Sequence, residues 1–429
     1  MSMTTTGLRR VAIVGGLRIP FCRANGPYSD QSNLDMLAAT LQGLVKRYQL
    51  AGVALGEVVA GAVTSHSKDW NLAREALLST DLSPHTPGIT LQQACGTSLQ
   101  AALMSAAKIA TGQIDSAIAA GSDTASDPPI VFSKRFSQRL IKLQKARTLS
   151  ERLEAFKGFS PAELSPQAPR NSEPRTGLSM GEHAERMARE WAIPREAQDR
   201  LALASHENAS RAWDSGFFDD LVIPHAGVVR DNNVRPDSSL EQLAKLKPAF
   251  DKSSNGTLTA GNSTPLTDGA AGVLLASEEW ARARNLPVLA WLVAGRTAAV
   301  DFVNDEGLLM APTVAVSELL EQTGLALQDF DFYEIHEAFA AQVLANLKAW
   351  NDPAYCRERL GRQQPLGEID LSKLNVNGSS IALGHPFAAT GARIIGTLAK
   401  LLHERGSGRG LISVCTAGGM GVAAILERP

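Results

Sequence analysis

One order of elements occurs twice in this chain, and it restricts the fold more than any other feature. Residues 88–123, GITLQQACGTSLQAALMSAAKIATGQIDSAIAAGSD, run from a strand-like segment through a turn into a small-residue helix and out into a second strand. Residues 373–419, KLNVNGSSIALGHPFAATGARIIGTLAKLLHERGSGRGLISVCTAGG, repeat that order. Cys95 and His385 occupy comparable turns, each ahead of its helix. Strands that alternate with helices imply a layered α/β architecture. At 429 residues the chain exceeds one ordinary core, so two similar halves are the natural solution.

The rest of the alternation fits this plan. Val11–Gly15 and Val58–Val63 read as buried strands, and Asn33–Tyr48 and Leu72–Leu78 as helices. From Leu286 the alternation restarts and runs to the C-terminus. Between Asp127 and about Phe250 it breaks, and that stretch is richer in charge and poorer in strands. Within it, SKRFSQRLIKLQKARTLSERLEAFKGF is basic and amphipathic. Phe136, Leu140, Leu143 and Leu149 can share one side of a helix or hairpin. Such a segment serves either as a solvated helix packed on its domain or as a docking face for a partner or an acidic lipid surface. A helix ending at Gly216 follows in HENASRAWDSGFF.

The formal net charge is −2, so no global attraction to nucleic acid or membrane follows. None of Cys22, Cys95, Cys356 and Cys415 forms a CxxC pair. Four cysteines in so long a chain fit a reducing compartment better than a disulfide framework. The opening MSMTTTGLRR lacks an apolar signal segment. It is Thr-rich, basic and acid-free, like a transit peptide, but a strand begins at Val11. The expectation is a cytoplasmic protein rather than one of the mitochondrial matrix. No apolar run of about 18 residues marks a membrane span.

Four residues stand at strand ends where chemistry can occur. Cys95, in QQACGTSLQAA, precedes a helix N-terminus, whose unpaired N–H groups favour a thiolate. His385, in GHPFAATGAR, precedes Pro386, and proline suits the first position of a helix. Cys415, in LISVCTAGGMG, ends a strand before a glycine turn that lets backbone N–H groups approach a ligand. His336, in DFYEIHEAFAAQ, lies at another strand-to-helix junction. Taken singly, each is as readily a packing residue; together they exceed what packing accounts for. GLSMG at 177–181 matches the G-x-S-x-G nucleophile pattern, but the polar, proline-broken PRNSEPRT precedes it where a buried strand is required. No Walker A, HExxH or EF-hand sequence is present, and GGMG is followed by a strand-like segment, unlike a dinucleotide fingerprint.

ACGTSLQAA, AGNSTPLTDGAA, HEAFAAQ, NVNGSSIALGHPFAATGAR and CTAGGMG, in this order, resemble the signatures of the thiolase family along nearly the whole chain. HEAFAAQ, where most thiolases carry Asn at the position of His336, and the basic segment at 133–158 resemble the thiolase subunits of fatty-acid β-oxidation complexes. The resemblance implies two similar five-stranded mixed sheets in α-β-α-β-α layers with an inserted loop domain. The expected division is 1–126 completed by 251–284 as the N-terminal half, 127–250 as the loop domain, and 285–429 as the C-terminal half.

It also implies roles. Cys95 is the nucleophile toward a 3-ketoacyl-CoA, His385 takes its proton, and Cys415 is the acid and base at the acetyl carbon. His385, with a water or donor group near His336, serves one oxyanion hole, where His336 in place of Asn either binds that water or contacts the oxyanion directly; the N–H groups of Cys95 and Ala417 form the other. Met180 falls where the family lines its acyl pocket, and Thr264 near the pantetheine arm. Coenzyme A is a substrate; no metal and no tightly bound cofactor are expected. The implied activity is that of an acetyl-CoA C-acyltransferase, a 3-ketoacyl-CoA thiolase. An acetoacetyl-CoA-forming acetyltransferase, a non-catalytic acyl-CoA carrier and an assembly subunit are the alternatives. Implied partners are a second copy in a homodimer or tetramer and, through 133–158, a hydratase/dehydrogenase subunit or a membrane surface, with no nucleic acid.

Overall fold

The computed structural model describes residues 7–429. Of the transit-peptide-like MSMTTTGLRR, residues 1–6 lie outside the described residues, as does the start of the 1–126 unit. Among the described residues there are ten strands: β1 Val11–Arg18, β2 Cys22–Arg23, β3 Glu57–Gly61, β4 Gly88–Thr90, β5 Ser116–Asp123, β6 Thr267–Ser277, β7 Ala290–Ala299, β8 Phe332–Ile335, β9 Gly408–Thr416 and β10 Met420–Arg428. They pair in the order β4-β3-β5-β6-β1-β7-β10-β9-β8, with β2 on β6.

The duplication is visible in the pairing. In the first half β1, β6 and β5 are antiparallel neighbours, and β5–β3–β4 are parallel. In the second, β7, β10 and β9 are antiparallel and β9–β8 is parallel. Where β4 has its counterpart, the second half has one parallel bridge, Tyr333 to Leu374. The fifth strand stops there for a local reason. Asn375 adopts φ 46°, and its carboxamide accepts from Ile335 N and donates to Ile335 O, both at 2.9 Å. A side chain has taken the ladder positions that a further strand residue would fill. Two residue pairs, Ala12–Trp291 and Ile13–Ala290, join the halves across β1 and β7.

Successive strand residues serve opposite faces. Val273 and Leu275 of β6 face a central core with Leu99 and Ile109 of the helix Thr97–Ala110 and Ile394 and Leu398 of the helix Thr390–Arg405. Leu274 faces outward, to Leu41 and Leu44 of the helix Asn33–Arg47. On the far side Leu411 and Ile425 meet Val316 and Leu319 of the helix Ala311–Thr323. The result is five layers, with sheet faces apolar on both sides and the two repeated helices at the centre.

The small residues of those helices permit close approach. A Cβ on Gly391 would stand 2.3 Å from Leu99 N, and one on Gly121 of the adjoining strand β5 would stand 2.0 Å from Ala388 O, in the turn before the second helix. The pair of helices that carries Cys95 and His385 at its ends is therefore packed backbone to backbone.

Between β5 and β6 the described residues form helices, turns and isolated bridges. The basic segment is a hairpin of two helices, Lys134–Lys145 and Leu149–Ala155. Arg139 ties it together, donating to Glu163 Oε2 at 2.6 Å and to the carbonyls of Ala155 and Lys157 at 2.9 Å. Phe132, Phe136, Phe156 and Phe159 stack edge to face or tilted around it. Phe136, Leu140 and Leu143 share the half-buried side, as the periodicity predicts. Leu149 does not: it opens the second helix and is 73% exposed, because the chain turns at Ala146–Thr148 and resets the helical phase.

Candidate active site

Cys95 stands on a tight turn between β4 and the first central helix. Ala94 has φ 45°, a left-handed conformation costing a non-glycine residue about 1–2 kcal/mol. The turn is closed by Gly96 N to Gln93 O at 3.0 Å, and Thr97 Oγ1 accepts from Gln93 N at 2.8 Å. The strain is held by the surrounding hydrogen bonds and presents the sulfur at the helix mouth.

His385 is placed differently from the sequence expectation. Pro386 does not begin an α-helix; a short 3-10 turn, Phe387–Ala389, intervenes, and the helix starts at Thr390. Gly384, at φ 100°, turns the chain so that His385 runs parallel to Leu266, with its N–H on Thr267 Oγ1 at 3.1 Å. The ring spans two partners: Nδ1 lies 2.5 Å from Thr390 Oγ1 and Nε2 lies 3.1 Å from Cys95 Sγ. With Nδ1–H donated to Thr390, Nε2 is free to accept the thiol proton.

Burial keeps both groups neutral. Part of Cys95 reaches solvent, yet burial pushes the thiol up to about 12, opposed by the backbone N–H groups of Ala417 and Cys95 itself. Burial, with Arg393 adding to it, pushes the His385 imidazole down to about 3. A neutral thiol facing a neutral imidazole transfers its proton as attack proceeds, not beforehand.

The other predicted residues converge here. His336 follows β8, is fully buried, and packs on His385 with ring centroids 4.1 Å apart. Its Nδ1 lies 2.8 Å from Ser380 Oγ, and burial drives the ring well below its usual range. Cys415, in β9, is 1% exposed; burial and then the nearby Cys95 push its thiol well above the ordinary value. Ala417 contributes its N–H to Cys95, and Gly418 N in the same turn donates to Glu173 Oε1 at 2.8 Å. Met180, first residue of the helix Met180–Glu190, packs on an apolar cluster with Met310, Phe339 and Cys415. Thr264 is fixed to both histidine loops, by N–H to Ala338 O at 3.0 Å and by its hydroxyl to Ser380 O at 2.7 Å. That hydroxyl is occupied, so Thr264 offers a wall rather than a free donor. Ser179, the rejected nucleophile, caps its helix and is paired with Glu182.

As for metals, one ring nitrogen each of His336 and His385 and the Cys95 sulfur lie within 4.8 Å of one another. Two of those atoms already face each other as an acid–base pair.

A cleft of about 360 Å³ opens beside the site. Its exposed mouth carries Arg23 and Arg235, and its buried end is formed by Ser263, Pro265 and Ile381, neighbours of Thr264 and Ser380. Sequence reasoning placed no cation here. Arg23 belongs to the first half and Arg235 to the inserted region, and only the fold joins them. Ser380, Thr390 and Arg393 lie inside the recognised motif, yet nothing in their spacing shows which atom each holds.

Comparison with known proteins agrees with this arrangement. The family models described as "Thiolase, N-terminal domain" and "Thiolase, C-terminal domain" match residues 11–279 and 286–428. Proteins named 3-ketoacyl-CoA thiolase from Yersinia pestis (strain Pestoides F) and Yersinia pseudotuberculosis serotype O:1b are each 44% identical over 424 residues, 97% of both chains. The crystal structure of the Bacillus anthracis acetyl-CoA acetyltransferase superposes with a TM-score of 0.82 at 31% identity, over 98% of this chain and 99% of that one. Acat5 thiolase from Ascaris suum, in complex with coenzyme A, gives 0.80 at 26% identity, over 98% and 100%. With both family models matched end to end and the cysteine–histidine site assembled between the two halves, the chain belongs to the thiolase family.

Proposed function

We propose that this enzyme is a 3-ketoacyl-CoA thiolase of fatty-acid degradation. The observation that carries the reading is the 3.1 Å approach of His385 Nε2 to Cys95 Sγ. Cys95 attacks the 3-keto carbon while His385 takes its proton. The bond between C2 and C3 breaks, leaving the shortened acyl group as a thioester on Cys95. The acetyl-CoA enolate takes a proton from Cys415 and leaves. Cys415 then accepts the thiol proton of a second coenzyme A, whose sulfur attacks the thioester. Cys95 departs and recovers its proton from His385. Two donor sets, His385 with His336 and the N–H groups of Cys95 and Ala417, stabilise the oxyanions; each such donor is typically worth about 3–4 kcal/mol.

The cleft beside Thr264 is the route for coenzyme A, with Arg23 and Arg235 meeting its phosphates. Met180 borders the acyl chain. The chain is organised as an N-terminal half, 1–126 with 251–284, a loop domain, 127–250, and a C-terminal half, 285–429. It works in the cytoplasm as a homo-oligomer; the exposed sheet edge β4 is available for pairing with a second copy. The hairpin at 133–158 meets a hydratase/dehydrogenase subunit or a membrane surface. Its outer side combines Ile141, Leu149 and Leu153 with Lys142, Lys145 and Arg152, all exposed.

The likeness to an acetyl-CoA acetyltransferase structure supports a second reading, synthesis of acetoacetyl-CoA by the reverse condensation. A thiolysis series over 3-ketoacyl-CoA chain lengths separates the two. Turnover of long chains and an acyl adduct on Cys95 by mass spectrometry are expected. Turnover confined to acetoacetyl-CoA selects the second reading, and absence of an adduct on Cys95 removes both.

A further inference from the structure

Arginine carries donors and no acceptor, which fixes the direction of every hydrogen bond it makes. Arg393, on the first turn of the central helix Thr390–Arg405, is buried. Its Nη2 donates to Ser380 Oγ at 2.9 Å and to Ser379 Oγ at 3.3 Å. Ser380 Oγ is therefore an acceptor on that side. Its other side-chain partner among the described residues is His336 Nδ1, at 2.8 Å. The hydroxyl has one proton, and Nδ1 is the acceptor available to it. Were the imidazole the donor, two N–H groups would face one oxygen and the hydroxyl proton would be buried unpaired. A neutral imidazole that accepts at Nδ1 carries its proton on Nε2.

His336 Nε2 is buried with no partner within the protein. Its ring packs on His385, and one nitrogen of each ring lies within 4.8 Å of the Cys95 sulfur. An N–H left unpaired beside the attacking sulfur is what a developing oxyanion requires.

On the thiolase reading above, we propose that Arg393, acting through Ser380, is a positioning residue that holds His336 as its Nε2–H tautomer and so makes that N–H a direct donor to the substrate oxyanion. The guanidinium lies 3.8 Å from the equally buried Glu334, within charge attraction but beyond a hydrogen bond. Its charge, together with burial, also disfavours protonation of both histidines. The relay answers a problem peculiar to histidine at this position. A carboxamide carries N–H donors in its only form, whereas a neutral imidazole has one donor and two places to put it.

The test uses the full-length protein labelled with ¹⁵N-histidine. Long-range ¹⁵N–¹H correlation is expected to show His336 as Nε2–H in the unliganded enzyme. Ser380→Ala should mix in the Nδ1–H form and lower kcat about tenfold to a hundredfold, part of the loss seen when an oxyanion donor is removed, with KM nearly unchanged. Ser380→Thr should restore both. In a His336→Asn background, Ser380→Ala should cost less than about threefold, since a carboxamide needs no relay. Arg393→Met can fail to fold because it strands Glu334, so the Ser380 variants decide. An Nδ1–H tautomer in the wild type, an unchanged tautomer in Ser380→Ala, or an equal loss in both backgrounds overturns the proposal. The tautomer is read without turnover, so a protein lacking thiolysis but holding Nε2–H would remove the functional reading and leave the relay standing.

Discussion

Every residue from Thr390 to Leu402 of the second central helix is buried, whereas no residue of the helix Lys134–Lys145 is. The first helix is defined by what it touches: Leu99 at Gly391, Gly16 at Gly396, and Thr390 on His385. The second is defined by its own hairpin, through Arg139 and four phenylalanines. The contrast shows where the chain needs precision and where it keeps surface in reserve. At the centre, the proposed proton transfer needs sulfur and nitrogen held in place, and a misplacement of about 1 Å can cost about a hundredfold in rate. At the hairpin, the exposed side is free to differ without disturbing that distance.

The sharpest way to break the contrast is at its chemical centre. On the proposed mechanism, Cys95→Ala removes the group that carries the acyl thioester. Thiolysis should fall by about 10⁴-fold or more, as for other nucleophile deletions. The fold should survive, because Ala94, Gly96 and Thr97 close the turn through backbone and hydroxyl bonds that the variant keeps. Circular dichroism and steady-state thiolysis measured together check this; a folded variant with substantial turnover would remove Cys95 from the mechanism.

Gly391→Ala tests the packing that holds the two reactive turns together. The new methyl would meet Leu99 N at 2.3 Å, so one helix must shift. Overpacking of this kind costs about 1–3 kcal/mol of stability. Because Leu99 and Gly391 lie on the helices behind Cys95 and His385, kcat should fall along with the urea midpoint. Loss of stability with kcat intact would mean that the sulfur–nitrogen distance is set by the turns alone.

A gentler probe is pH. The folded His385 imidazole, pushed down to about 3, releases a proton that the unfolded chain holds below about 6.5. Unfolded protein therefore binds more protons between those limits, and stability must fall as pH drops through that window. Cys95 has the opposite sign. Its folded thiol, pushed up to about 12, keeps a proton that the unfolded chain loses above about 8.5, so stability falls as pH rises beyond that point. Urea titrations across pH should show both losses. His385→Ala should reduce the acid-side loss, which His336 and His206 share, and Cys95→Ala the alkaline loss, which Cys22 and Cys415 share, while hairpin variants leave the profile as it is.

Much of this centre is legible in the sequence because it is local. The repeated strand, turn and small-residue helix announce the duplicated halves, and Cys95, His385, His336 and Cys415 each stand at the end of a strand. What is not legible is relational. Pro386 reads as a helix start, yet the chain needs a 3-10 turn first so that Thr390 can reach back to the ring. The fifth strand of the second half reads as a repeat, yet Asn375 replaces its ladder with a side chain. Arg23 and Arg235 come together across the cleft only when the inserted region folds against the first half. Leu149 follows the periodicity of the helix before it, and a three-residue turn cancels that phase.

The smallest effects on chemistry are expected at the hairpin. Ile141→Glu with Leu153→Asp changes two side chains that are 51% and 69% exposed. Neither belongs to the Arg139 hub nor to the phenylalanine cluster, so stability should change by no more than about 0.5 kcal/mol per site. Thiolysis should stay within about twofold, because nothing at the sulfur depends on this surface. Docking should not be spared. The apolar residues lie beside exposed Lys142, Lys145 and Arg152, the pairing of apolar contact with positive charge that an anionic membrane or an acidic partner face rewards. Sedimentation with phosphatidylserine-containing vesicles, and copurification with a co-expressed hydratase/dehydrogenase subunit, should each be compared between wild type and the double variant. Loss of one association with turnover intact assigns the hairpin its partner. Turnover that falls with it would mean that the hairpin is coupled to the centre, and the two regions would no longer be independent.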